Sequence, residues 1–538
     1  MLNRLVSEVR AFTEDQLDHI RRLTQIGAAL SAEKNLDRLL EMIVDEARKF
    51  THASGGTLYI MSDDETELHF AIVQNDSLNV RMGGTGDRIT WPPVKLRNED
   101  GTENHTNVSA HAAISGEVVN IPDVYNAEGF NFEGTRRFDA QTGYRSRSML
   151  VVPMRNHEND IIGVLQLLNA QDPSTNEVIT FSRESEKMTE SLASQAAVAL
   201  SNNRLIEGLE NLLESFITSI ATVVDEKSPY TGGHVRRVAE LTMAIARKIN
   251  GVREGPLADF NFNEEQLREL RTAAWLHDVG KITTPEHVVD KATKLETICD
   301  RIELLKARFE ILKRDYEIEQ LKRRLEEQGG EPSGCSAEGQ DAFVEAVKDD
   351  LEFLINANMG GEFMADEKIE RLKTISERML QLNGQLQPLI LKDEVYNLSI
   401  RRGTLNREER DIINNHAAVT HKILSQLPFP KKLRNVAQFA AAHHEKLDGT
   451  GYPLGLDDSR LPIQSRILAL ADVFEALTAK DRPYKKGKTL SEAMKIMAMM
   501  VKDRHIDADL FDLFLKEKIY LDYARRELSA QQIDQTEF

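Results

Sequence analysis

The spacing of apolar residues changes along the chain, and each change marks a new kind of element. Ile20, Leu23, Ile26, Leu30, Leu36, Leu39, Leu40 and Ile43 recur at roughly helical spacing with charges between them, so residues 1–50 are expected to be helical. The period then shortens. Gly55–Met61 and Leu68–Val73 have the composition of strands around an acidic turn, Ser62–Glu67. Val118–Ile121, Ser148–Met154 and Ile161–Leu168 add three more strands, and Asn156–Asp160 reads as the turn between the last two. Helices on either side of an antiparallel sheet predict an α+β domain over about residues 20–200.

Residues 183–225 read as one long helix. Leu205, Leu209, Leu212, Phe216, Ile220 and Val223 keep close to a seven-residue repeat, the pattern of a coiled-coil seam, and predict a homodimer. From about residue 230 onward the pattern is helical, with short polar breaks. Residues 295–400 stand apart in their richness in Glu, Lys, Arg, Leu and Gln. Ile298, Ile302, Leu305, Phe309, Leu312 and Tyr316 alternate four and three apart, as do Leu372, Ile375, Met379, Leu382, Leu386 and Leu389. The glycine-containing break Gln328–Gly339 lies between the two runs, so an inserted coiled-coil hairpin is expected, without chemistry of its own.

Composition narrows the function. The chain has 538 residues, 41% hydrophobic and 29% charged, enough for several domains with full cores. Lys+Arg is 68 and Asp+Glu 87, a net charge of −19. That field disfavours a nucleic-acid polymer or an anionic membrane as partner, and a phosphate-bearing ligand must meet a local basic pocket. Cys299 and Cys335 are the only cysteines, which excludes a disulfide scaffold and a thiolate zinc site and fits a cytoplasmic protein. No apolar run approaches the length of a membrane span, and the N-terminus lacks the pattern of a secretory signal.

Seven residues of metal-ligand type fall in the helical part: His234, His277, Asp278, His416, His443, His444 and Asp472. Asp472 sits within Ile467-Leu-Ala-Leu-Ala-Asp-Val-Phe474, where a carboxylate is costly to bury unless it is paired or binds a metal. His277-Asp278 follows apolar Ala273-Ala-Trp-Leu276 and meets the same difficulty. Histidines with two carboxylates suit borderline divalent ions such as iron or manganese, with waters completing six ligands. A carboxylate bridging two such ions about 3.5–4 Å apart makes a hydrolytic centre whose bridging water has a lowered pKa. His287 and His421 lack such surroundings and read as structural.

These residues belong to longer motifs. In chain order they are Tyr230-Thr-Gly-Gly-His234 with Arg236-Arg-Val238, His277-Asp-Val-Gly-Lys281, His416, His443-His-Glu445 with Asp448-Gly-Thr-Gly-Tyr-Pro453, and Ala471-Asp-Val-Phe474 with Arg482-Pro-Tyr484. The set resembles the HD-GYP subgroup of HD-domain phosphohydrolases. That resemblance implies a helical bundle with a bi- or trimetal site, often iron. It also implies hydrolysis of cyclic di-GMP to linear pGpG and, in many members, on to GMP. Carried over position by position, it implies that His234, His277, Asp278, His416, His443, His444 and Asp472 hold metal, with Asp278 bridging. Lys281 then faces the scissile phosphate, and Gly449, Tyr452, Arg482 and Lys485 contact substrate. Members with a third metal often carry Glu four positions before the first motif histidine. Tyr230 stands there, so two divalent metal ions are expected. Two other functions compete: a non-catalytic cyclic-dinucleotide receptor signalling through the insertion, and a hydrolase for another cyclic dinucleotide. Degenerate members lose HD or GYP residues, and none is lost here.

Asn120-Ile-Pro-Asp-Val-Tyr125, Phe138-Asp139, Thr142-Gly-Tyr144, Arg147–Met154 and Gly163–Asn169 resemble a GAF domain. Asn169, Phe181 and Glu186 match the pattern of cyclic-nucleotide-binding members, but Ala170 and Ser185 replace its Lys and Asp. A small-molecule ligand is expected on balance over a bare dimerisation scaffold. The absence of cysteine there excludes a cysteine-linked bilin, and nothing supports haem on His69, His105 or His111. The expected layout is an N-terminal helix over 1–27, a GAF domain over 28–200 and a connecting signalling helix over 183–228. An all-α HD-GYP domain follows over 229–291 and 401–525, interrupted by the insertion at 292–400 and ending in a tail, 526–538.

Overall fold

The computed structural model describes residues 17, 21, 23–227, 233–327, 338–480 and 487–538. Most of the helix expected over 1–27, and Tyr230, Cys335, Arg482 and Lys485, therefore lie outside the described residues. The chain divides into two compact units, Met1–Leu212 and Leu213–Phe538.

In the first unit, α1 (Leu36–Thr51) starts where the Asn35 side chain accepts the Arg38 N–H and ends at a left-handed residue, His52. An eight-stranded sheet follows: β1 (Ala53–Met61), β2 (Glu67–Asn75), β3 (Val80–Gly83), β4 (Val94–Lys95), β5 (Val119–Ile121), β6 (Met149–Arg155), β7 (Ile161–Gln171) and β8 (Val178–Ile179). Its main order is β3-β2-β1-β7-β6-β5, with antiparallel pairings throughout. Helices α2 (Val108–Ser115) and α3 (Glu133–Thr142) interrupt the strands, and α4 (Arg183–Glu226) follows them. Strand alternation separates two cores. Leu58, Leu150, Val152, Leu165 and Leu167 pack with Leu39 and Ile43 of α1 and Leu192 and Ala196 of α4. Tyr59, Val151 and Val164 face the opposite way, against Val108 and Ala112 of α2.

The second unit is largely helical. Helices α5 (His234–Ile249) and α6 (Glu264–Leu276) precede the segment 292–400. Within that segment, α7 (Ile302–Glu327) pairs with α8 (Glu338–Asn358). Tyr316 stacks on Phe343 at 4.0 Å while Phe309 and Val347 share a core, so the two helices run antiparallel. The second heptad run is not a helix throughout. α9 (Asp366–Ser376) stops, and β9 (Met379–Leu382) and β10 (Gln385–Pro388) form a hairpin. Asn383-Gly384 between them has φ of 51° and 76°, the paired left-handed conformation of a tight hairpin turn. A four-three spacing cut by Asn-Gly thus closes a ribbon, not a seam. α10 (Lys392–Leu398) ends the segment.

The segment leaves and returns at one place. The Thr404 hydroxyl donates to the Lys291 carbonyl at 3.0 Å, and the Lys291 ammonium meets Glu409 at 2.7 Å. Lys294, fully buried, donates from Nζ to the Leu398 carbonyl at 3.0 Å. Beyond it come α11 (Arg407–Leu424), α12 (Val436–Ala441), α13 (Ile463–Thr478), α14 (Leu490–Lys502), α15 (Ala508–Lys516) and α16 (Ile519–Glu527). Their main core joins Leu241 and Ile245 of α5, Leu270 of α6, Leu468 and Phe474 of α13 and Phe514 of α15. Among the described residues no helix is long and apolar enough to cross a membrane.

Candidate metal centre

The motifs separated in sequence meet in the helical unit. His234 opens α5, His277 caps α6, and Asp278 begins a 3-10 helix, Val279–Thr283, that carries Lys281. His416 lies in α11, His443 and His444 in a 3-10 turn after α12, and Asp472 in α13. Gly280 lets the first turn lie against α11, because a Cβ there would come within 2.0 Å of the His416 carbonyl oxygen. The Gly280 N–H donates to the Thr420 hydroxyl, which donates to the His277 carbonyl, both at 3.0 Å.

Each of four imidazoles spends Nδ1 on a fixed acceptor. His277 donates to the Ala274 carbonyl at 2.8 Å, His443 to the Ala440 carbonyl at 2.6 Å, and His416 to the Ile413 carbonyl. His234 Nδ1 meets Glu475 Oε2 at 2.5 Å. Carbonyls accept only, so in His277, His416 and His443 Nδ1 carries the proton and Nε2 presents a lone pair to the interior. His277 Nε2, His416 Nε2, His443 Nε2 and Asp278 Oδ1 are buried with no hydrogen-bond partner. Such groups are expensive in a protein interior unless something else satisfies them.

Asp278 divides these groups. Its Oδ2 lies 3.3 Å from His277 Nε2 and 3.5 Å from His234 Nε2, while its Oδ1 lies 3.4 Å from His416 Nε2 and 3.9 Å from His443 Nε2. Two ligand sets result: His234, His277 and Asp472, and His416, His443 and His444, each with ligand atoms within 4.8 Å of one another. The donor set and the orphaned atoms fit divalent metal. Burial opposes ionisation of Asp278, but Lys281 and the imidazoles hold its carboxyl well below the usual range. Burial keeps His443 uncharged and pushes His444 down to about 3. Lone pairs are thereby available for a cation.

Lys281 Nζ donates to Asp278 Oδ2 at 2.6 Å. It lines a cavity of about 260 Å³ with His444, Tyr452, Asn414 and Ala476. Tyr452 lies over His444, their rings 4.9 Å apart. Glu445, fully buried, holds the Asp448–Pro453 loop by accepting the Leu454 and Leu456 N–H groups at 2.6 and 2.9 Å. Gly449 is a left-handed turn residue of that loop (φ 76°) and is not among the residues lining the cavity.

Sequence reasoning missed Glu475. It is fully buried, bonds His234 and accepts from Arg237 Nε at 2.7 Å. The available signal was its position three residues after Asp472, which puts both carboxylates on one side of α13. In the first unit, Asn169 and Glu186 serve local structure. Asn169 Oδ1 accepts the Arg147 N–H at 2.6 Å, and Glu186 accepts from Asn120 Nδ2 at 3.1 Å.

Residues 35–200 match the family model of the GAF domain, and residues 231–347 and 372–510 match two models of the HD domain. The chain thus joins a GAF domain to an HD domain. It is 32% identical over 173 residues to the 3′3′-cGAMP-specific phosphodiesterase 1 of Vibrio cholerae, covering 30% of this chain and 39% of that protein. It is 37% identical over 129 residues to the cyclic di-GMP phosphodiesterase of Thermotoga maritima, covering 24% and 34%. The chain therefore spans well under half the length of these relatives. Among solved structures, the GAF domain of an Acinetobacter phosphoenolpyruvate-protein phosphotransferase aligns with a TM-score of 0.26 and 14% identity, covering 35% of this chain and 97% of that one.

Proposed function

We propose that the chain is a metal-dependent phosphodiesterase that hydrolyses cyclic di-GMP to linear pGpG, a second cleavage of which gives GMP. The observation that carries this reading is Asp278, buried, with its two oxygens divided between two histidine sets and Lys281 beside it at an open cavity. His234, His277 and Asp472 would hold one divalent ion, iron or manganese, and His416, His443 and His444 the other, with Asp278 shared. Such ions supply a water of lowered pKa and neutralise charge on the phosphoryl oxygens. Lys281 adds a positive charge where charge grows on the phosphoryl group. Tyr452 offers a ring face to a guanine, and Gly449, Arg482 and Lys485 are assigned to the same substrate. Lys281 gives a phosphate ligand a local cation that a net charge of −19 otherwise denies it. Metal analysis of anaerobically purified protein, with product identification from cyclic di-GMP, tests the reading. Metal-loaded protein that leaves cyclic di-GMP intact would sink it.

A second substrate, mixed 3′3′-cyclic GMP-AMP, is favoured by the Vibrio cholerae relative of that specificity. Turnover of the two dinucleotides side by side decides between them.

We also propose that residues 28–200 are the sensor, 183–228 the connecting helix, 229–291 and 401–525 the hydrolase, and 292–400 an accessory insertion. A small molecule in the GAF domain would then set turnover. The exposed stripe of α4, where Leu209 and Phe216 are 65% and 59% accessible, is assigned to a parallel homodimer. Replacing both residues with Glu should give a monomer in ultracentrifugation; an unchanged dimer would move the interface elsewhere.

A further inference from the structure

The C-terminal end of α4 reaches the backbone that carries the candidate site. Lys227, one residue past the helix, donates from Nζ to three carbonyls: Lys281 at 3.1 Å, Ile282 at 2.5 Å and Thr284 at 2.6 Å. All three belong to the 3-10 helix Val279–Thr283 or its C-cap, Thr284. Carbonyls at the end of a helical segment lack partners within it and carry partial negative charge. An ammonium group has three donors, and one can go to each carbonyl.

Asp225 acts on the other side. Its Oδ2 accepts the Gly233 N–H at 3.1 Å, at the N-cap of the helix that begins with His234. Between the two polar contacts, Ile217 and Val224 share a core with Ala273, Leu276 and Val279. One turn of α4 therefore holds the backbone next to His234 and the backbone of Lys281. No residue of α4 lines the cavity itself.

We propose that Lys227, assisted by Asp225, is a positioning residue that fixes the 278–284 turn, so that the placement of the Lys281 ammonium depends on where α4 ends. The effect on turnover rests on the phosphodiesterase reading; the effect on the turn does not. A misplacement of about 1 Å is enough to cost a rate factor on the order of 100. Lys227 touches only main-chain oxygens of the turn, so its loss should spare the metal ligands' own side-chain contacts.

The full-length protein serves for the test, as Lys227→Met, Lys227→Arg and a control on the same helix end, Glu226→Gln. Amide hydrogen exchange, metal content and steady-state kinetics are measured on each. For Lys227→Met, exchange should quicken in the peptide covering 279–284, metal content should stay at the wild-type level, and kcat should fall about 10- to 100-fold with KM within about 3-fold. Lys227→Arg, which keeps donors for the same carbonyls, should recover most of kcat and of the protection. Glu226→Gln should match wild type in all three. Wild-type exchange at 279–284 in Lys227→Met would overturn the proposal. So would exchange quickened across the whole helical unit with loss of metal, which would make Lys227 a general stabiliser. If wild-type protein turns over no cyclic dinucleotide, the phosphodiesterase reading fails while the exchange data still decide whether Lys227 holds the turn.

Discussion

Among the described residues imidazoles gather in two places, and the two gatherings are chemically opposite. In the GAF domain His105 and His111 meet Nδ1 to Nδ1 at 3.0 Å, and His105 Nε2 lies 3.0 Å from Glu103 Oε2. His105 and Glu103 are both about half exposed. In the HD domain His277, His416 and His443 spend Nδ1 on backbone carbonyls and leave Nε2 buried without a partner. The first pair bonds within itself and to Glu103. The second set keeps three Nε2 atoms and Asp278 Oδ1 without a hydrogen-bond partner in the interior, a donor set that fits divalent metal. Proximity of histidines is thus weak evidence for a metal site; the fate of the second ring nitrogen is much stronger.

The largest effect expected from this contrast is at the buried set. His277→Ala with Asp278→Ala should abolish metal retention and hydrolysis, because it removes one terminal and the shared ligand. His105→Ala with His111→Ala should leave metal content and basal turnover within about 2-fold of wild type, since surface substitutions away from packed features do little. Metal bound tightly by the first variant, or lost from the second, would break the comparison. Next comes Glu475→Gln, expected to lower metal affinity about 10- to 100-fold with the fold intact, as changes to the groups that orient a ligand usually do. Titration with a competing chelator measures it, and Glu103→Gln provides the matched control.

Smaller effects sharpen the packing side. Gly280→Ala places a methyl against the His416 carbonyl oxygen, a backbone atom that cannot swing aside. Thermal melts should show a loss of about 1–3 kcal/mol, the usual range for overpacking. The smallest effect concerns pH in the metal-free protein. Burial holds His444 down to about 3, whereas an unfolded histidine protonates near 6.5. The unfolded state therefore binds more protons as pH falls from 7 to 5, and stability falls with it, by about 2 kcal/mol from His444 alone. Burial also lowers His443, which adds to the loss. His234 works the other way, because Glu475 overcomes burial and raises it. Its contribution over this window is smaller, since its unfolded form is already partly protonated at pH 7. Urea melts of chelated protein at the two pH values check the sign.

Much of the site was readable from residue types alone. Asp472 amid Leu-Ala-Leu-Ala and His277-Asp278 after an apolar helix end are placements that charge burial forbids without compensation, and all three lie in the cluster. Glu475 was harder to read: its spacing from Asp472 was a signal, but a glutamate on a helix looks like an exposed residue until its burial is known. Lys227 was hidden for another reason: its partners are backbone carbonyls, which leave no mark in side-chain chemistry. In the fold, the β5–β7 strands and the helix over 183–225 agree with the apolar pattern. The run from Leu372 to Leu389 misled because a four-three spacing over a short stretch fits more than one backbone. Asn383-Gly384 was the local signal that outweighed it.

The junction at Lys291, Thr404 and Glu409 makes the segment between residues 292 and 403 a sealed module plugged into a socket. Its two ends are fixed beside each other by their own contacts, so its length does not set the spacing of the ligand-bearing segments on either side. Closing a flexible loop costs only about 0.6 kcal/mol more for each doubling of its length. Lineages could therefore lengthen, shorten or replace this module without retuning the chemistry beneath it, and a foreign domain or an optical reporter could occupy the same socket.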